Sequence, residues 1–112
     1  MSRSAVAVVV IIAGLMLATL PAFGADDPVL VAQGHAVFET HGCPECHRVN
    51  GVGGKIGPDL TGVGHRYSAA YLTHWLRDNP YRGAIHMPKI EVTDPELQAL
   101  EAYLISLRGF PP

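Results

Sequence analysis

Apolar residues follow two kinds of pattern along this chain. One is an unbroken run near the start; the other is a set of three later stretches where they recur at helical spacing. The first of these stretches opens at Asp27-Pro28, an acidic cap followed by proline at the first helical position. Leu30, Gly34, Val37 and Phe38 then line one side of the predicted helix. Gly34 weakens a helix, so its presence implies that another backbone passes close there. A second helix is predicted from Ser68. Tyr71, Leu72, Trp75 and Leu76 make its apolar face, Thr73, His74, Arg77 and Asp78 its polar face, and Asn79-Pro80 stops it. The third begins at Thr93-Asp94-Pro95-Glu96, a capping box with proline in the first turn. Leu97, Leu100, Tyr103, Leu104 and Leu107 follow on one face. Arg108 suits the last turn, Gly109 can close it left-handed, and Pro111-Pro112 forbid continuation.

Between these helices, residues 48–67 and 80–92 are rich in glycine and proline and read as loops. No alternating β-branched run is long enough for a strand, so the expected class is all-α, with three main helices. So much irregular chain in a small helical domain needs a central surface to lie on.

The unbroken run is Ala5 to Leu20, 16 residues preceded by Arg3 and followed by Pro21, Ala22, Gly24 and Ala25. This is the layout of an export signal. Ala22 and Gly24 suit the positions three and one before the cut, which assigns residues 1–24 to the signal and 25–112 to one domain; cleavage after Ala25 is the neighbouring choice. The alternative is an uncleaved anchor, for which the run is short against the ~20 apolar residues that span a bilayer. Either way the domain leaves the cytoplasm and is expected in the periplasm. Residues 25–112 carry seven basic and ten acidic side chains, a net charge of −3. With no basic block, nucleic acid is not an expected partner.

A domain of this size often needs a disulfide, metal or cofactor to fold. Both cysteines lie in Cys43-Pro44-Glu45-Cys46-His47. A disulfide across so short a loop constrains little of the unfolded chain. Structural zinc wants four ligands, commonly two such pairs. Thiol–disulfide exchange of the thioredoxin kind needs a strand ahead of the motif, and none is predicted. C-x-x-C-H is also the pattern of covalent c-type haem attachment. Two thiols three residues apart can reach the two porphyrin vinyl groups, and the next residue is then placed for axial ligation. One haem c, covalent through Cys43 and Cys46 with His47 on iron, is the expected cofactor and the missing central surface.

With those residues in view, the chain resembles the class I cytochromes c over Gly34 to Leu107. Gly34 and Phe38 precede the haem motif as in that family, "GPDL" at 57–60 is similar to its segment of that name, "YLTHWLRDNP" resembles its middle helix, and Tyr103 resembles its C-terminal helix aromatic. The resemblance implies a cytochrome c fold around the haem, with the carbonyl of Pro58 accepting the proton of the His47 imidazole. It also implies that the last helix crosses the first near Gly34.

The second axial ligand is expected to be Met87, 40 residues after His47 and the one methionine beyond the signal. It precedes Pro88, matching the family's "M-P" segment. A lone methionine can also fill a core gap, and His86 beside it is the competing ligand. His65 and His74 could reach iron only if the loops ran differently; His35 and His41 read as surface residues on the first helix or its end. Arg66, Tyr67 and Trp75 are candidate donors to the haem propionates. Core packing for Trp75 and a solvated loop position for Arg66 are the alternatives. Leu60 and Ile90 are expected on the ring, Lys55 and Lys89 at the surface.

These features describe a periplasmic one-electron carrier, monomeric when free, that is not itself an enzyme. It would meet redox protein partners in short-lived encounters of small area, with salt-sensitive steering by its negative charge. Two other readings share the motif: a cytochrome c subunit of a periplasmic dehydrogenase or oxidase, and a haem sensor with an open iron site. Membrane association is expected only if the N-terminal segment is retained.

Overall fold

The computed structural model describes residues 27–78 and 87–109. The N-terminal run, Asn79-Pro80, His86 and Pro111-Pro112 all lie outside the described residues.

Helix α1 spans Pro28–Thr40 and starts where local chemistry dictates. The Asp27 carboxylate accepts a 2.8 Å hydrogen bond from the Val29 amide, satisfying one of the orphan donors of the first turn. Gly34 and Phe38, four residues apart, are its buried positions. Helix α4, Asp94–Ser106, is capped by Thr93, whose hydroxyl accepts from the Glu96 amide while the Glu96 carboxylate reaches back to the Thr93 amide. Leu97, Leu100, Tyr103, Leu104 and Leu107 are all buried, and the chain turns away through Gly109 at φ 73°.

These two helices form the main packing unit. A Cβ on Gly34 would lie 1.8 Å from the Ala99 carbonyl oxygen and 2.7 Å from Tyr103 Cβ, so only glycine permits the crossing. The close backbone inferred from Gly34 is therefore that of α4. Phe38 and Tyr103 pack in a tilted pair, ring centroids 5.2 Å apart and planes at 56°. Leu100, 1% exposed, sits at the centre; burying one such side chain is worth about 1.5–3 kcal/mol.

Helix α3, Ala69–Asp78, lays Leu72 and Leu76 into the same core, with Trp75 half-buried. Ser68 starts it, its carbonyl accepting from the Leu72 amide. Two expectations for this helix are corrected. Tyr71, grouped by spacing with Leu72, Trp75 and Leu76, does not share their burial but is 45% exposed, stacked on Tyr67 with ring centroids 4.5 Å apart. Thr73, assigned to the polar face, is half-buried and hydrogen-bonds Glu101 of α4. Both follow from where α4 lies, which helical periodicity alone does not specify.

The fold is mostly helical, but residues 48–67 are not all loop. Arg48–Val49 (β1) pairs antiparallel with Val52–Gly53 (β2), Arg48 opposite Gly53 and Val49 opposite Val52. Asn50 and Gly51 make the turn with φ of 51° and 81°, the left-handed pair of a two-residue hairpin. A short helix α2, Val63–Arg66, follows. Its Gly64 amide donates to the Leu107 carbonyl at 2.8 Å, and a Cβ there would lie 2.2 Å from the Ile105 carbonyl oxygen.

Candidate haem site

The cysteine segment follows directly from the end of α1. His41 closes the helix, Gly42 takes φ 72°, and Cys43–Glu45 makes a single 3-10 turn. The amides of Cys46 and His47 both donate to the Cys43 carbonyl, at 3.2 and 3.0 Å. This turn brings the two thiols and the imidazole to one end of the core. Burial pushes the Cys43 thiol above its ordinary pKa, with the Glu39 carboxylate adding to the rise.

Residues 53–60 brace this turn from behind. The Gly54 amide donates to the Pro44 carbonyl at 2.8 Å, Gly57 to Cys46 at 2.7 Å, and Leu60 to Arg48 at 2.8 Å. His47 Nδ1 donates to the Pro58 carbonyl oxygen at 2.8 Å, which leaves Nε2 as the ring's free lone pair. Beyond Pro58, the Asp59 carboxylate accepts from the amide and hydroxyl of Thr61, while the Thr61 hydroxyl oxygen accepts from the Asn50 amide. Those Thr61 bonds, with Arg48 and Arg66 nearby, hold the Asp59 carboxyl below its ordinary pKa.

A cleft runs between α1, α3, α4 and this loop. Phe38, Leu60, Val63, Leu72, Trp75, Leu76, Ile90, Leu100 and Leu104 line it, together with Cys43, His47 and Met87. An apolar wall carrying the Cys43 thiol, an imidazole with Nε2 free and a thioether, with the Cys46 thiol at the end of the same turn, suits the donor set of a c-type haem. The residues present fit that group.

Of the residues predicted from sequence, Cys43, His47, Leu60, Trp75, Met87 and Ile90 meet on the cleft wall. Cys46 is half-buried at the end of the same turn, and Pro58 acts through its carbonyl. Arg66 and Tyr67 are exposed and do not line the cleft: Arg66 donates to the Asp59 carbonyl at 2.8 Å and Tyr67 stacks on Tyr71. The other described histidines are off the wall as well. His35 stacks on Tyr103 and lies 3.3 Å from Glu39, and His41 is 2.8 Å from Glu96. His74 is 2.7 Å from Asp78, and His65 is exposed. Phe38, Val63, Leu72, Leu76, Leu100 and Leu104 also line the cleft, and nothing in the sequence marks them as cofactor contacts. Their helical periodicity marks most of them as core, and in a domain built around a cofactor, core and binding wall are the same surface.

The cytochrome c family model matches residues 31–108, and the chain belongs to the cytochrome c family. Its residues 31–108 thus form a c-type cytochrome domain, a class that carries electrons on covalently bound haem. Among curated proteins it is 31% identical over 84 residues to a nitric oxide reductase subunit of Halomonas halodenitrificans, covering 66% of this chain and 56% of that protein. It is 29% identical over 97 residues to the like-named nitric oxide reductase subunit of Paracoccus denitrificans, covering 73% of this chain and 65% of that protein. The match therefore spans somewhat over half the length of each relative. No solved structure gives a significant match.

Proposed function

We propose that this chain is the haem-bearing subunit of a reductase of the nitric oxide reductase type, relaying single electrons to a catalytic partner without catalysing a reaction itself. The observation that carries the proposal is that two relatives, 31% and 29% identical, both bear the name of the same subunit of that enzyme. Motif and charge alone put a diffusing carrier first; the relatives favour the subunit alternative.

Haem c, when bound, supplies a one-electron iron couple. The chain's own part is to hold and tune it. Cys43 and Cys46, at either end of one turn, would take the two thioether bonds. His47 commits Nδ1 to the Pro58 carbonyl, so its tautomer offers Nε2 to the metal, and that hydrogen bond raises its basicity as a ligand. Met87, on the cleft wall, would supply a thioether to the metal, and with His47 also bound no position would be open to a substrate. The leucine, valine and phenylalanine side chains of the cleft would keep water off the ring, limiting reorganisation when the charge changes. Trp75 on the wall, with Arg66 and Tyr67 outside it, are the proposed donors to the haem carboxylates. Residues 1–24 serve as an export signal or anchor, and residues 25–112 work in the periplasm.

Native extraction of the full chain, followed by size-exclusion with haem staining, tests the assignment. The expected result is haem-stained chain eluting within a larger reductase. Elution of all the chain as a small, separate cytochrome would return it to the class of diffusing carriers.

A further inference from the structure

We propose that Gly57 is a positioning residue for the haem-ligating imidazole of His47. The inference rests on the haem reading above and adds to it a determinant of how the ligand is held. A Cβ built on Gly57 would stand 2.5 Å from Cε1, 2.7 Å from Nδ1 and 3.0 Å from Nε2 of His47. All three are ring atoms, and their similar distances put that Cβ over the ring on its Cε1 side, so the bare Cα of Gly57 leaves the space the imidazole occupies. The next residue supplies the carbonyl that accepts from Nδ1, at 2.8 Å. The Gly57 amide itself is tied to the Cys46 carbonyl at 2.7 Å. The ring is thus limited by contact at residue 57 and drawn in by a hydrogen bond at residue 58. Both stops are anchored to the turn that carries the cysteines.

The side-chain-free surface at residue 57 has no conformational explanation. Among the described residues the glycines at positive φ are Gly42, Gly51, Gly53 and Gly109, and Gly57 is not one of them. An alanine there meets no backbone strain; what it meets is the ring. The ring is the movable end of a side chain, so in Gly57→Ala it swings away while the main chain stays. That motion lengthens the Nδ1–H bond to Pro58 and changes the ring's orientation about the metal–Nε2 axis. A weaker bond at Nδ1 makes the imidazole a poorer donor and stabilises the ferric form less, so the reduction potential rises.

Two other glycines separate this role from general packing. At Gly54 a Cβ would lie 2.0 Å from the Glu45 carbonyl oxygen and 3.0 Å from Cys46 Cα, so Gly54→Ala meets first the main chain of the cysteine turn rather than the ring. At Gly62, φ −113°, a Cβ meets nothing within 4 Å. The experiment makes Gly57→Ala, Gly54→Ala and Gly62→Ala in the full chain and measures three quantities. These are the fraction of exported protein carrying haem, the reduction potential, and the ferric low-spin EPR g values with the spread of haem methyl NMR shifts.

The expected result is near-normal loading for Gly57→Ala, an upward shift in potential, and altered g values and methyl spread. Gly62→Ala should match the parent, and Gly54→Ala should lose loading without that ligand signature. If Gly57→Ala loads normally and keeps the parent's potential and spectra, the assignment falls. It also falls if Gly57→Ala loses haem as Gly54→Ala does, because the glycine is then only structural. Absence of covalent haem in the parent protein would instead overturn the haem reading itself.

Discussion

Gly34 of α1 and Ala99 of α4 approach so closely that a single added methyl would stand 1.8 Å from the Ala99 carbonyl oxygen. The obstructing atoms are main chain and the root of Tyr103, none of which can rotate aside. Gly34→Ala must therefore push the two helices apart, and overpacking of this kind costs about 1–3 kcal/mol, occasionally more. Since Phe38 and Leu100 face the cleft from these same helices, the shift also loosens the cofactor wall. Urea unfolding of the holoprotein should show a loss of at least ~2 kcal/mol. A change within ~0.5 kcal/mol, the range of an ordinary surface substitution, would mean that the crossing is not as tight as described.

The cap of α4 offers a smaller, local test. Thr93→Ala removes the hydroxyl that accepts from the Glu96 amide, a loss of about 1 kcal/mol. For a domain this size that corresponds to a fall in Tm of about 4–8 °C. Thr93→Ser keeps the acceptor and should recover most of it in a thermal melt followed by circular dichroism.

Acid should weaken the fold through two carboxylates. The hydrogen bond from His41, joined by those from Thr93, holds Glu96 below its ordinary 4.5, and the Thr61 hydroxyl and amide hold Asp59 below its ordinary 3.8. A folded-state pKa below the unfolded one adds stability above the unfolded value, and that stability is lost as pH falls through the folded one. The unfolding midpoint should therefore drop as pH goes from about 4.5 downward. Glu96→Gln should be less stable than the parent at pH 7 and flatter below pH 4.5. An unchanged acid limb would show that these bonds contribute nothing in solution.

Axial ligation by Met87 predicts a sulfur-to-iron charge-transfer band in the ferric spectrum. Met87→Ala should abolish the band, lower the potential and admit carbon monoxide to the ferrous protein at neutral pH. His86→Ala should leave all three unchanged. If His86→Ala rather than Met87→Ala opens the iron, the axial pair is two imidazoles.

What could be read from the residues in order was what short-range bonds decide. The capping box joins Thr93 to Glu96, three positions on, and the Asp27 cap reaches Val29, two positions on. Such bonds need no distant partner, and both caps form where they were expected. The hairpin shows the opposite limit. Its strands are two residues each, too short for alternation to register, although Asn50-Gly51 is a turn pair that points to it. Helix α2 has only four residues and is held by the Leu107 carbonyl and the close approach of Ile105, contacts some forty residues away in the chain.

The chain order alone determined the haem motif, the caps and the apolar faces, since each depends on residues a few positions apart; it marked Gly34 as a close approach without saying to what. Tertiary packing decided that the neighbour of Gly34 is Ala99 and that Tyr71 faces outward against Tyr67. It also brought Met87 onto the wall that carries His47, and set Gly57 against the imidazole ring. The physical reason is the range of the forces involved. Hydrogen bonds within a turn are set by backbone geometry, whereas a cleft is the joint product of helices and loops that meet only when the whole core closes.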